Sequence, residues 1–113
     1  MKLGKKQELF TRLEARLLAK ALEMGFDVRG GDAFRDPRVH GAYGEKKGYG
    51  KRWSMHKLKL ARDLNLFKDG KYLDETDDHR ELGEWWEEQH ELCRWGGRFK
   101  DGNHYSLSHD GRA

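Results

Sequence analysis

Between Leu58 and Phe67 the chain alternates. Leu60, Arg62, Leu64 and Leu66 fall on one side of an extended strand, and Ala61, Asp63, Asn65 and Phe67 on the other. Lys68-Asp69-Gly70-Lys71 follows at once. Asp-Gly is the pair that a two-residue hairpin turn demands, because both central positions need positive φ. A strand that must return through Tyr72-Leu73 commits this part of the chain to antiparallel pairing. It also commits one carboxylate: Asp63 shares its face with Ala61, whose small side chain leaves room beside it.

The other segments supply cover for such a sheet. From about Lys6 to Met24, Leu9, Phe10, Leu13, Leu17, Ala21 and Met24 recur at helical spacing, with Leu18 and Leu22 widening the stripe. Gly25 stands where a helix stops. Phe26 to Arg29 reads as a short strand ending at Gly30-Gly31. Thr76-Asp77-Asp78 predicts a second helix start, a capping hydroxyl and two carboxylates at the positive end of the dipole. Leu82, Trp85, Trp86 and Gln89 then share one face, which places the tryptophans in the core and leaves His79 and Glu87 to solvent. His104-Tyr105-Ser106-Leu107 alternates again as a final strand. The order of helices and strands predicts an α+β fold, and 113 residues suffice for one domain over 1–113, with a small core. Charged residues make up 38% of the chain and hydrophobic ones 35%, a balance that could suggest disorder, but four tryptophans, four tyrosines and five phenylalanines argue for a packed core.

The chemistry gathers in two places. Ser54-Met55-His56 precedes Ala61-Arg62-Asp63, and Asp101-Gly102-Asn103-His104 lies near the end. Imidazole nitrogen and carboxylate oxygen are good Zn²⁺ ligands, and His56, Asp63 and His104 would leave the fourth position of a tetrahedral site open, as catalytic zinc requires. Asp101 is then a spare carboxylate close to the last ligand. His90 and Cys93 also have metal-binding spacing, but a lone pair is common by chance and a fuller set is present. Ser54 is not a nucleophile, because no G-x-S-x-G elbow surrounds it.

Ser-x-His, then Ala-x-Asp, then acid-x-x-His resembles the zinc D-alanyl-D-alanine peptidases, a family that includes vancomycin-resistance carboxypeptidases and dipeptidases and the L-alanyl-D-glutamate endopeptidases of phages. The likeness runs from roughly Phe26 to Gly111. It implies a Hedgehog/DD-peptidase-like single domain, helices packed on a small antiparallel sheet, with one zinc per chain in a cleft across it. It implies that Asp101 serves as general base and then general acid, an Asp there being similar to the phage endopeptidases. Arg35, in Phe34-Arg35, matches an aromatic-Arg pair whose arginine binds substrate near the metal. Read without the resemblance, Arg35 is an ordinary surface arginine, and Asp36 beside it is placed to tie it up in a salt bridge. Ser54 is expected to orient the first ligand loop. Trp95 leads into the last motif through Gly96-Gly97, and His109 reads as either a second-layer or substrate group or an exposed tail residue.

The implied substrate is the stem peptide of bacterial peptidoglycan, cut at L-alanyl-D-glutamate, with D-alanyl-D-alanine as the alternative. A net charge of +3 suits the acidic wall but equally nucleic acid or an anionic membrane. The segment 41–52, with Gly41, Gly44, Gly48 and Gly50 among lysines, arginines, Tyr43 and Tyr49, reads as a loop that suits a substrate-facing lip or nucleic acid. A small phage nucleic-acid-binding protein is the rival, and an inactive wall-binding module a third reading. The rival lacks the clustered Cys/His spacing of a zinc finger and leaves Ser54 and Asp101 without a role. The expectation is therefore a monomer with no nucleic-acid partner and no stable membrane insertion. The single cysteine, Cys93, and an opening segment without an apolar run fit a chain made in the host cytoplasm without a signal peptide; the resemblance implies that it reaches the wall after holin-type release.

Overall fold

A computed structural model describes residues Met1–Ala113. The first helix, α1, spans Leu3–Glu23 and turns Phe10, Leu13, Leu17 and Ala21 inward. Leu22, read as part of the stripe, is exposed instead: it lies on the far edge of a stripe too wide for one contact face. The helix ends as its glycine predicts. Gly25 has φ +89°, its N–H donates to Leu22 O at 3.0 Å, and that of Phe26 donates to Ala21 O at 3.1 Å, the paired closure of a Schellman motif.

The strands are β1 (Asp27–Gly30), β2 (Ala61–Lys68), β3 (Lys71–Tyr72), β4 (Cys93–Trp95) and β5 (His104–Leu107). All pairs are antiparallel, in the order β1-β2-β5-β4, with β3 returning on β2. The eight-residue β2 is the spine. One edge takes β1, and the other takes β5 along its first residues and β3 along its last. Asp69 and Gly70, with φ of +52° and +79°, make the expected hairpin turn. The short strand β4 carries no alternation long enough to be read from sequence.

A four-residue helix, α2 (Pro37–His40), follows β1, and α3 (Arg80–Glu88) follows a 3₁₀ turn at Thr76–His79. That turn is closed by Glu75, whose N–H donates to the Asp78 carboxylate at 3.0 Å, rather than by the Thr76 hydroxyl. Trp86 is fully buried and Trp85 half-buried. Leu64, Leu66, Tyr105 and Leu107 from the sheet join α1 and α3 in one cluster of 15 buried apolar residues. No helix is long and apolar enough to cross a membrane.

Two residues expected in solvent are not there. His79 is 3% exposed, and its Nδ1 meets the Tyr105 hydroxyl at 2.7 Å. Burial holds its imidazole down to about 4 against an opposing pull from Asp78, so it sits neutral in the core. Glu87 bonds the Arg98 guanidinium at 2.7 Å and the Trp95 N–H at 3.4 Å, joining α3 to the segment after β4. Both contacts depend on how α3 docks on the sheet, which local spacing does not encode.

Candidate active site

His56 sits on a 3₁₀ turn, Met55–Leu58, whose start is capped by Ser54: the serine Oγ accepts the His56 N–H at 3.2 Å. Asp63 lies on β2, on the face opposite Leu64, and β5 brings His104 directly across from it in register. Cross-strand neighbours on one face are close by construction. Local alternation and strand pairing together therefore converge the three side chains, whose candidate ligand atoms all lie within 4.8 Å of one another.

The hydrogen bonds around them decide which atoms face inward. His56 Nδ1 donates to Ala33 O at 2.8 Å, so Nε2 turns a lone pair toward Asp63 Oδ1 at 3.1 Å. His104 Nε2 donates to Ala113 O at 3.0 Å, so its Nδ1 faces the same oxygen at 3.5 Å. Outer hydrogen bonds of this kind fix the tautomer of a metal-binding histidine. Three electron-rich atoms thus meet with no hydrogen between them, an arrangement that a cation makes favourable. Zinc at about 2.0–2.2 Å from nitrogen and oxygen donors holds neighbouring donors roughly 3.3 Å apart, midway between the two separations seen here. Burial pushes the Asp63 carboxyl up, but the two imidazoles that face it outweigh burial and hold it well below the usual range, so Asp63 is an anion, ready as a ligand. The donor set fits a zinc ion.

His56 and His104 form part of the wall of a cleft of about 410 Å³, which Arg35 and Asp101 also line. Arg35 does not pair with Asp36, which instead takes Arg38 at 2.6 Å. The backbone turns Asp36 outward to cap α2, where its carboxylate accepts the Arg38 N–H at 2.8 Å. Arg35 is held by Asp32 at 3.2 Å and by Ser54 Oγ at 3.0 Å, so one serine hydroxyl ties the arginine to the turn that carries His56. Tyr49, from the glycine-rich loop, donates its hydroxyl to Asp32 at 2.8 Å, and its ring lies 5.3 Å from the Arg35 guanidinium. That hydrogen bond, helped by Arg35, lowers the Asp32 carboxyl.

Asp101 is presented by a tight loop. Its N–H donates to Gly96 O at 2.8 Å, and its own carbonyl accepts the His104 N–H at 3.1 Å. A Cβ on Gly96 would overlap the Asp101 carbonyl oxygen and the His104 Cβ, so this closure requires glycine. Trp95 is 1% exposed, packs between Gly83 and Gly97, and donates its indole N–H to Gly102 O at 2.7 Å. It braces the Asp101 loop from behind and does not line the cleft. His109 is neither a cleft residue nor a free tail residue: its Nδ1 meets Lys6 Nζ at 3.0 Å. Cys93 is buried in the core, which pushes its thiol up to about 12 and makes it a poor metal ligand beside His90.

Several site residues carried no sequence signal strong enough to single them out. Asp32 and Tyr49 hold Arg35, and the 41–52 loop that carries Tyr49 is itself fastened by buried side chains. Lys57 Nζ donates to the carbonyls of Ala42 and Glu45, and His40 Nδ1 accepts the Gly50 N–H at 3.2 Å. The last residues, Arg112 and Ala113, also line the cleft. They get there because Asp110-Gly111, with φ of +49° and +74°, reverses the tail. That pair is the same hairpin signal as Asp69-Gly70.

No curated protein matches the chain. A family profile described as D-alanyl-D-alanine carboxypeptidase matches residues 47–107, over half of the 113 residues. The matched span includes His56, Asp63, Asp101 and His104 and stops short of Arg35 on one side and the tail on the other. A converging His-Asp-His donor set inside the matched span accords with the metal-dependent amide hydrolysis of such peptidases, and the chain belongs to the D-alanyl-D-alanine carboxypeptidase family of peptidoglycan-related metallopeptidases.

Proposed function

We propose that this protein hydrolyses a peptide bond in the stem peptide of bacterial peptidoglycan, with one zinc held by His56, Asp63 and His104. The observation that carries the reading is the convergence of three lone pairs on one point, in a cleft that also holds an unpaired acid and a fixed arginine. When bound there, zinc supplies a Lewis acid for the scissile carbonyl and lowers the pKa of the attacking water to about 7. Asp101 takes the proton from that water and returns it to the leaving amine. Its carboxylate makes no hydrogen bond within the protein and so is free for this exchange. Arg35, fixed by Asp32 and Ser54, holds a substrate carboxylate or the developing oxyanion through its remaining N–H groups. Ser54 keeps that arginine and the His56 turn in register, and Trp95 keeps the Asp101 loop from sagging out of reach.

The favoured bond is L-alanyl-D-glutamate, supported by an aspartate rather than a glutamate at position 101. D-alanyl-D-alanine is the second reading, favoured by the description of the matching family. In either case residues 1–113 act as one catalytic domain, monomeric, with no nucleic-acid partner. The role fits a phage lysis enzyme made in the host cytoplasm and released to the wall through a holin-type pore. Mass spectrometry of purified peptidoglycan after digestion tests the reading: new L-alanine carboxyl and D-glutamate amino termini are expected. Release of free D-alanine instead selects the second bond, and walls left uncut refute both.

A further inference from the structure

We infer that Arg112, stacked on Trp53 at the cleft, is a second carboxylate-binding subsite, separate from Arg35, that selects stem peptides whose D-glutamate α-carboxyl is free over those in which it is amidated. The inference rests on the peptidase reading above.

Away from the cleft, Arg38, Arg62, Arg80 and Arg98 have an acidic partner within ion-pair distance, while Arg12, Arg16, Arg29 and Arg94 stand unpaired and exposed. The cleft is lined by Arg35, Lys51, Arg52 and Arg112, with Asp101 as the only acid beside the ligands. Arg35 has Asp32. The other three cations have no carboxylate partner, so the site holds an excess of positive charge that a ligand with more than one carboxylate would neutralise.

Among these cations Arg112 is the one the fold places. Its guanidinium lies 4.3 Å from the centre of the Trp53 ring, which also meets Tyr43 edge-on with ring centres 5.1 Å apart. Contact with the ring face restrains the guanidinium while leaving its N–H groups free to take a carboxylate. The tail that carries it is clamped at both ends. Lys6 Nζ donates to Ser108 O at 3.2 Å, His109 and Arg112 exchange backbone hydrogen bonds of 2.8 and 2.9 Å, and Ala113 O accepts from His104 at 3.0 Å and Ser106 at 3.3 Å. Trp53 directly precedes Ser54, the cap of the His56 turn. The subsite is thus built onto the same two supports as the proposed metal ligands, and a peptide reaching from the ligands along the cleft would present a second acidic group to it.

The test uses the full chain and two synthetic stem peptides that differ only in a free or amidated α-carboxyl on D-glutamate. The wild type is expected to prefer the free acid by about tenfold in kcat/KM, mostly through KM, the scale of one charge-assisted hydrogen-bond pair that is partly exposed. Arg112→Ala should bring the ratio toward one, Arg112→Glu should invert it, and Arg112→Lys should keep part of it. Arg112→Ala and Arg112→Glu lose the stacking alike, so the difference between them reports charge alone even if the tail loosens; zinc content shows whether it has. Equal wild-type cleavage of both peptides overturns the inference and leaves the peptidase reading standing. An unchanged ratio in Arg112→Glu does the same. A shift of single-stranded oligonucleotide binding in Arg112→Glu, with no shift in the peptide ratio, would assign the patch to nucleic acid instead. Cleavage of neither peptide overturns both the reading and the inference.

Discussion

Replacing Asp101 with asparagine separates catalysis from metal binding and from folding. The structure predicts a small effect on the last two. The backbone bonds of residue 101, from its N–H to Gly96 O at 2.8 Å and from His104 N–H to its carbonyl at 3.1 Å, are available to asparagine unchanged. The aspartate carboxylate bonds no other group of the protein, and asparagine has nearly the same shape. The cost in folding should therefore stay within about 0.5 kcal/mol, the range for a substitution that removes no buried contact. None of the three proposed ligands is touched, so zinc should remain. The rate is another matter, because an amide cannot carry the proton between water and leaving amine. Loss of a positioned acid–base group costs on the order of 10²–10⁴-fold, or about 2.7–5.5 kcal/mol of barrier. The assay is turbidity loss of purified cell walls beside metal analysis and a thermal melt of the same preparation. Asp101→Glu should be partly active, since glutamate keeps a carboxylate that can carry the proton but sets it one methylene further out. If Asp101 merely shapes the turn before Gly102, asparagine would be neutral, being a good turn former itself. An Asp101→Asn protein that lyses walls at the wild-type rate refutes the mechanism even with the zinc site intact.

Three further outcomes are expected. His56→Ala should lose zinc, and chelation of the wild type should lower its melting temperature by mass action; stoichiometric zinc in the mutant would discard the ligand set. Arg35→Ala should cut kcat/KM while keeping zinc, with a modest stability loss because Asp32 then retains only Tyr49, and Arg35→Lys should recover little since a point charge cannot replace the planar fork; wild-type kinetics in Arg35→Ala would return it to the surface. His79 has a folded value of about 4 against an ordinary 6.5, so between those pH values the unfolded chain binds more protons. Its stabilising contribution is complete above pH 6.5 and is lost as pH falls toward 4, by up to about 3 kcal/mol. Denaturant titrations across that range should show a flatter slope for His79→Gln, and parallel slopes would contradict the assignment.

What the sequence determined by itself is what neighbouring residues decide among themselves. A period of two put Asp63 on the face opposite Leu64 before any partner strand was known. Asp69-Gly70 set the hairpin because few other pairs tolerate two positive φ values. Gly25 ended α1, Ser54 sat where a turn could use its hydroxyl, and the order of helices and strands implied an α+β fold. Residue type and spacing also marked His56, Asp63 and His104 as candidates before β5 set His104 opposite Asp63. Tertiary structure decided which partners meet across the chain. Arg35 chose Asp32 over the adjacent Asp36 because the backbone turns Asp36 away to cap α2. His79 went inside because α3 docks against Tyr105, some 26 positions along the chain. The tail reached the cleft because Lys6, 102 positions away, anchors Ser108 just before Asp110-Gly111 turns the chain back. Such contacts depend on the packing of whole elements, whose stability is shared by many residues and written in none of them singly.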